Sequence, residues 1–254
     1  MHLPQTGSWE VPRVSRRFAH SRLAGAELDS TQLTPLKPVR SDRCNCEGHF
    51  AYSSAVPFPD ELGPVVLMDD AGRWEPDYGV LLQQLRALEL SEVGMIEHVG
   101  STSVRGLVAK DVIDVQIRVP GLDAEVVISQ FSAAGFRHRP EEWNNIETTR
   151  LGPYQKLVFA PPAEARRANV HVRPSDSPGA RDTLLFRDYL RASEESRTSW
   201  GRFKRSIVVQ NRDIDLATYG QAKQPAWNLL MSQADEWART NEWSVQPMLP
   251  WSSI

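Results

Sequence analysis

Two residues at the end of an apolar run, Gly100 and Ser101, and an aspartate thirteen residues later, Asp114, have the types and spacing to handle a phosphate. A strand that ends in Gly-Ser exposes backbone N–H groups and a hydroxyl at one spot, and glycine lets that backbone approach a ligand closely. Thr102 adds a second hydroxyl to the same turn. A carboxylate presented to that turn suits Mg²⁺, which bridges phosphates and offsets their charge. A phosphate-holding turn followed by acidic residues alternating along a strand is the logic of nucleotidyl transfer. A structural reading stands beside it: the turn reverses the chain, and Asp114 pairs with Arg118 or Lys110 to order the sheet, because an unpaired buried charge is costly.

The elements that position these residues follow from hydrophobic period. Met95-Ile96-Glu97-His98-Val99 reads as a strand ending at Gly100-Ser101. Thr102 to Lys110 holds Gly106 and reads as a turn or brief helix. Val112 to Val119 is the clearest strand, with Ile113, Val115, Ile117 and Val119 on one face and Asp114, Gln116 and Arg118 on the other. Asn169 to Arg173 alternates likewise, placing Asn169, His171 and Arg173 together. Val65 to Met68 and Tyr154 to Ala160 read as further strands. Val80, Leu81, Leu85 and Leu88 share a helical spacing near Pro76, and Asp123 caps a helix through Phe131 that Gly135 closes. After Pro178 the pattern is helical: Leu184 to Leu190, then Trp200 to Ile207, then Leu216 to Trp237. The expected fold class is therefore α/β (α+β), a mixed sheet backed by helices and followed by a helical subdomain.

Residues 1–61 differ, being rich in proline, serine and arginine with no sustained apolar period, and read as a mostly irregular N-terminal extension. Cys44, Cys46 and His49 lie there, in a spacing that does not match a zinc ribbon. The ordered domain is expected over 62–243 and an irregular tail over 244–254. The formal net charge of −3 in 254 residues supplies no strong field for nucleic acid or anionic membrane. No apolar window reaches transmembrane length, the start lacks a signal layout and two close cysteines make no disulfide framework. Together these point to the cytoplasm.

The run Glu97-His98-Val99-Gly100-Ser101-Thr102-Ser103-Val104, with Gly106-Leu107, Ala109-Lys110 and Val112-Ile113-Asp114-Val115, resembles the signature of the GrpB-like family. Arg73-Trp74, Gly135-Phe136-Arg137, Arg139-Pro140-Glu141-Glu142-Trp143, Asn169-Val170-His171-Val172, Leu185 to Arg191, and Tyr219 with Lys223 extend the likeness over nearly all of 62–243. The resemblance implies a fold similar to the polymerase-β-type nucleotidyltransferases. It also implies a site for a nucleoside triphosphate or a phosphorylated small molecule built around Gly100, Ser101 and Asp114. It supplies no substrate, since a shared fold does not fix function.

Three departures bear on that site. The position of a second acid holds Gln116, the strand that would carry a third offers His171, and Asp111 stands where the family often has proline. One Mg²⁺ on Asp114, held mainly by substrate phosphates, is the expected cofactor. In the transfer reading, Gln116 aids Asp114, His171 or His98 orients or deprotonates the acceptor, and Lys110, Arg187 or Lys223 neutralises phosphate charge, with Tyr219 beside Lys223 on one helix face. Lys204 is a further candidate cation. The competing readings are a packed histidine at His98, solvated surface cations, and core tryptophans at Trp143, Trp200, Trp227 and Trp237. Two functions of other classes stay open: a binding domain without turnover, and an interaction domain whose helical end meets a partner protein.

Overall fold

The computed structural model describes residues 63–70, 72–88, 90 and 94–248. The expectations for residues 1–61 and for the Cys44, Cys46 and His49 group lie outside the described residues. Five strands form one mixed sheet in the order β1-β2-β7-β6-β3. They are β1 (Met95–Val99), β2 (Ile113–Val119), β3 (Arg137–His138), β6 (Leu157–Ala160) and β7 (Ala168–Pro174). β2 runs antiparallel to β1 and parallel to β7, and β6 is antiparallel to both β7 and β3. A separate hairpin joins β4 (Ile146–Thr149) to β5 (Gly152–Gln155).

The alternation of β2 divides the sheet into two faces. Ile113, Val115, Ile117, Val170, Val172 and Phe159 turn to one side, each at most 1% exposed. There they meet α1 (Trp74–Arg86) and α2 (Ala124–Ala133) through Trp74, Leu81, Leu85, Val127 and Phe131. Side chains of this size each contribute about 1.5–3 kcal/mol on full burial. Asp123 caps α2, accepting from Val126 N at 3.1 Å. On the other side lie α4 (Pro178–Ala192), α5 (Glu194–Gln210) and α6 (Leu216–Thr240), which pack on one another through Leu185, Leu190, Trp200 and Met231. Ser177 caps α4 and Asp215 caps α6. Among the described residues no helix is long and apolar enough to cross a membrane.

Local expectations change at Val65 to Met68, Tyr154 to Ala160, Trp143 and Val80. Val65 to Met68 forms no strand, only a bridge from Met68 to Ala109. Tyr154 to Ala160 is two strands in different sheets, parted at Lys156. Trp143 is 72% exposed on the short α3 (Glu142–Asn145), and Val80 is also exposed, so neither belongs to the core. Residues 244–248 carry neither helix nor strand, and Gln246 O accepts from Arg118 at 3.1 Å.

Candidate phosphate-binding site

β1 ends where its backbone must turn sharply against β2. Gly100 sits at φ +68°, a region costly for a side chain, and a Cβ there would lie 2.5 Å from Asp114 Oδ2. Both the turn and the contact with Asp114 therefore require glycine. The following turn, Ser101–Ser103, is 3₁₀, and Ser103 Oγ donates to Gly100 O at 2.7 Å. Two arginines one helical turn apart on α4 clamp its ends. Arg187 Nη1 donates to His98 O at 3.1 Å, and Arg191 donates to Ser103 O at 3.1 and 2.8 Å. Asp188 holds Arg187 in place at 2.7 Å.

Ser101 Oγ meets Lys204, which reaches in from α5. Its Nζ donates to Ser101 Oγ at 2.8 Å and to Val108 O at 2.5 Å. Lys204 is only 2% exposed. Burial, then the charge of Lys223, lowers its pKa to about 7 against the pull of Asp114. Lys223 Nζ sits 4.4 Å from the centre of the Tyr219 ring, and burial and Lys110 lower its pKa to about 8. Tyr219 is buried, which raises its own pKa. The Lys110 charge also reaches Asp114.

Asp114 opens to solvent, with its side chain 33% exposed. Oδ1 accepts from Asn169 Nδ2 at 2.9 Å, as expected when β2 and β7 pair Asp114 with Asn169. His171 Nε2 lies 3.9 Å from the same oxygen, beyond a good hydrogen bond but near enough for the ring's N–H dipole to favour the carboxylate. Burial tends to raise the Asp114 carboxyl, but His171, Asn169 and Lys110 outweigh it and hold the group below the usual carboxylate range. Burial drives His171 to about 4, so its ring is neutral near pH 7, and its buried Nδ1 has no hydrogen-bond partner. Gly100, Ser101, Asp114, Lys110, His171, Tyr219 and Lys223 thus gather around one location, with Lys204 and Asn169.

Four other candidates do not present free groups there. Gln116 shares the face of Asp114 but is fully buried beneath α4. Its amide donates to Ala180 O at 3.1 Å and its oxygen accepts from Arg173 at 3.0 Å, so both ends are committed. His98 pairs with Val115 and therefore projects to the opposite face, stacked on Tyr78 at 4.5 Å. Its ring nitrogens meet Glu75 at 3.3 Å and Thr102 at 3.1 Å. The order carboxylate, imidazole, hydroxyl mimics a nucleophile relay, but burial is inverted: Thr102 is buried and Glu75 exposed. His98 and Thr102 pin the turn instead. Arg187 is spent on Asp188 and the His98 carbonyl.

The donor set does not fit a resident Mg²⁺. Asp114 is its one carboxylate, and three lysine charges act around it. Among the described residues no group of three or more His, Cys, Asp or Glu could hold a metal. A hard dication needs anionic oxygens, and this surrounding repels it.

Sequence reasoning did not place Lys204 against Ser101 or Arg191 against the turn. Lys204 had a signal, since it interrupts the apolar stripe Trp200, Lys204, Ile207 at helical spacing, where a lysine is out of place unless partnered. Arg191 had none beyond its helix.

Residues 64–233 match the family described as GrpB protein. A UPF0157 protein of Streptomyces coelicolor is 31% identical over 170 residues, covering 66% of this chain and 83% of that protein. A Mycolicibacterium paratuberculosis protein named dephospho-CoA kinase is 29% identical over 212 residues, covering 74% of this chain and 52% of that protein. The chain thus spans about half the length of that relative. The crystal structure of conserved protein GrpB from Enterococcus faecalis superposes with TM-score 0.55 at 22% identity, covering 66% of this chain and 96% of that one, a likeness of fold. With that shared fold, and a match running from the segment before α1 into α6, the chain belongs to the GrpB family.

Proposed function

We propose that this chain binds a nucleoside triphosphate or another phosphorylated small molecule at the Gly100-Ser101 turn, without a resident Mg²⁺ and without turnover. The observation that carries the reading is the buried Lys204 ammonium held 2.8 Å from Ser101 Oγ, with Lys110 and Lys223 close enough to perturb it. A lysine is kept in such surroundings at a cost in solvation, and a phosphate would offset it. Mg²⁺-dependent transfer of a nucleotidyl or phosphoryl-linked group is the rival. It needs Asp114 to draw a dication past three ammonium groups, and it lacks Gln116, whose amide is already bonded at both ends. The kinase name of the mycobacterial relative belongs to a protein about half of whose length this chain spans. This sequence contains no Gly-Lys pair, which a P-loop kinase needs to cradle its phosphates.

Calorimetric titration with ATP and with inorganic pyrophosphate, each in EDTA and in Mg²⁺, tests the reading. Binding is expected in EDTA, weakening as Mg²⁺ competes for the phosphates. Lys223→Ala should weaken it about tenfold, or about 1.4 kcal/mol. Binding that requires Mg²⁺, or that ignores Lys223→Ala, would overturn it.

A further inference from the structure

Three hydroxyls stand side by side in the turn after β1, and their partners differ. Thr102 is buried against the His98 ring at 3.1 Å. Ser103 is buried and donates its proton to Gly100 O at 2.7 Å. Ser101 is partly exposed, and its Oγ meets the Lys204 amine at 2.8 Å. Of the three, Ser101 combines access from solvent with a basic neighbour.

The pair is held from both sides. Arg187 and Arg191 fix the turn through His98 O and Ser103 O, so Ser101 sits on a braced backbone. Val108 O fixes Lys204 Nζ as it arrives from α5. A neutral amine carries two hydrogens and a lone pair. One hydrogen serves Val108 O, and the lone pair is left for the Ser101 proton. Burial and the charges of Lys223, Arg205 and Lys110 lower the Lys204 pKa to about 7, so the neutral amine is abundant near neutral pH. A lysine so depressed can act as the base for a serine nucleophile. At 2% exposure, Lys204 is itself shielded from an electrophile that reaches Ser101.

We propose that Ser101 and Lys204 form a nucleophile–base pair, and that Ser101 takes an acyl group from an acyl phosphate. The proposal rests on the phosphate-binding reading of the lysine cluster and names one class of phosphorylated small molecule for that turn. Ser101 Oγ attacks the carbonyl carbon and forms an ester, while the bond from that carbon to the phosphate oxygen breaks. The serine proton passes to Lys204 Nζ, and the ammonium hands it to the departing inorganic phosphate. Negative charge grows on the phosphate as the bond breaks, and the charges of Lys110 and Lys223, which act on this pair, stabilise it there. Attack on a carbonyl carbon asks for a base and a cationic leaving-group pocket, which one carboxylate among three amines supplies. Each chain takes one acyl group, a single transfer rather than turnover.

The test incubates the full chain in EDTA with acetyl phosphate and, separately, with the neutral ester p-nitrophenyl acetate, and locates acetyl groups by peptide mass spectrometry. One acetyl group is expected on Ser101, as an ester that hydroxylamine removes. Ser101→Ala should lose it. Lys204→Met should slow its formation at least about a hundredfold, the contribution of a positioned base. If that variant folds poorly, the pH profile of the unaltered chain decides. With p-nitrophenyl acetate, ester formation at Ser101 should rise about fivefold from pH 6 to 7 and level off above about 8, as Lys204 loses its proton. A rate that climbs steadily to about pH 10, where an ordinary lysine titrates, would overturn the pair. So would acetyl groups found only on lysines as amides that survive hydroxylamine, or a Ser101 that reacts equally fast in Lys204→Met. Those outcomes leave the phosphate reading to its own titration. Saturating pyrophosphate should protect Ser101 from both reagents. A Ser101 that reacts but is not protected would overturn the acyl phosphate assignment together with the phosphate reading of the turn.

Discussion

Asp114 and Arg118 stand on the same face of β2, four residues apart, in surroundings that differ sharply. Around Arg118 the face is closed. Its guanidinium grips Glu97 with two bonds of 2.9 Å and also reaches Gln246 O. Alongside, Arg173 holds Glu147 of the β4–β5 hairpin at 3.0 and 3.1 Å, and Gln116 ties Arg173 to α4. Each charge there has an opposite partner. Around Asp114 the face is partly open, and the charges of Lys110, Lys204 and Lys223 act around a single carboxylate. A polar pattern that satisfies itself specifies structure; in the proposed reading, the lysine charges around Asp114 are the part that meets a phosphate.

The comparison breaks first at the closed end. Arg118→Ala should cost about 3–5 kcal/mol, because it strands the Glu97 carboxylate in a buried setting. Replacing both Arg118 and Glu97 with leucine should recover much of that loss, since a buried pair contributes little over apolar packing. Urea denaturation measures both. Anion binding per folded molecule should be unchanged. A loss of binding without loss of stability would place Arg118 in the binding machinery and erase the distinction between the two ends.

A pH series sharpens the comparison at the open end. The folded-state pKa values of Lys204 and Lys223, about 7 and about 8, lie below the ordinary 10.5. Between those values and 10.5 the unfolded chain holds more protons than the folded one. Stability from these two groups therefore rises with pH above about 7, is complete above 10.5, and is lost as pH falls through 8 and 7. Anion binding has the opposite sign, because it favours the charged amines. Affinity for pyrophosphate should fall roughly tenfold from pH 7 to 8, with proton uptake on binding. Titrations in buffers of different ionisation enthalpy would detect the uptake. An affinity flat across that range would mean that neither lysine touches the ligand.

Much of this arrangement was legible in the chain. The period of two in Val112 to Val119 and Asn169 to Arg173 assigned every residue to its face, because a strand has only two faces to offer. Gly100 announced the turn, and its contact with Asp114 is why no other residue fits. What covers a face is a different question. Gln116 is sealed by Ala180, 64 residues away, and no local pattern carries that information. Alternation likewise gave His98 and Asp114 no common address, since pairing with Val115 sends the histidine to the core side. Tyr154 to Ala160 read as one strand because both pieces suit extended backbone, and the break at Lys156 comes from the hairpin folding over the sheet toward Arg173.

The smallest effect is the most discriminating, and it falls on Asp114. In a metal-binding reading this residue is the main attraction for Mg²⁺, and Asp114→Asn should abolish binding. In the anion-binding reading it is a local negative charge that the incoming phosphate must approach. Asparagine keeps an oxygen for Asn169 Nδ2, so the hydrogen bond at 2.9 Å survives and the fold should hold. Removing a partly exposed charge changes an interaction by about 0.5–1 kcal/mol. Pyrophosphate affinity should therefore rise about two- to fivefold. One opposing effect must be kept out of the measurement. Asp114 raises the pKa values of Lys204 and Lys223, so its removal lets both lose protons more easily. The titration belongs near pH 6, below both values of about 7 and about 8, where the amines stay charged in either protein. Tighter binding there, in EDTA, supports an anion site without metal. Binding abolished by the same substitution would return Asp114 to the role of metal ligand.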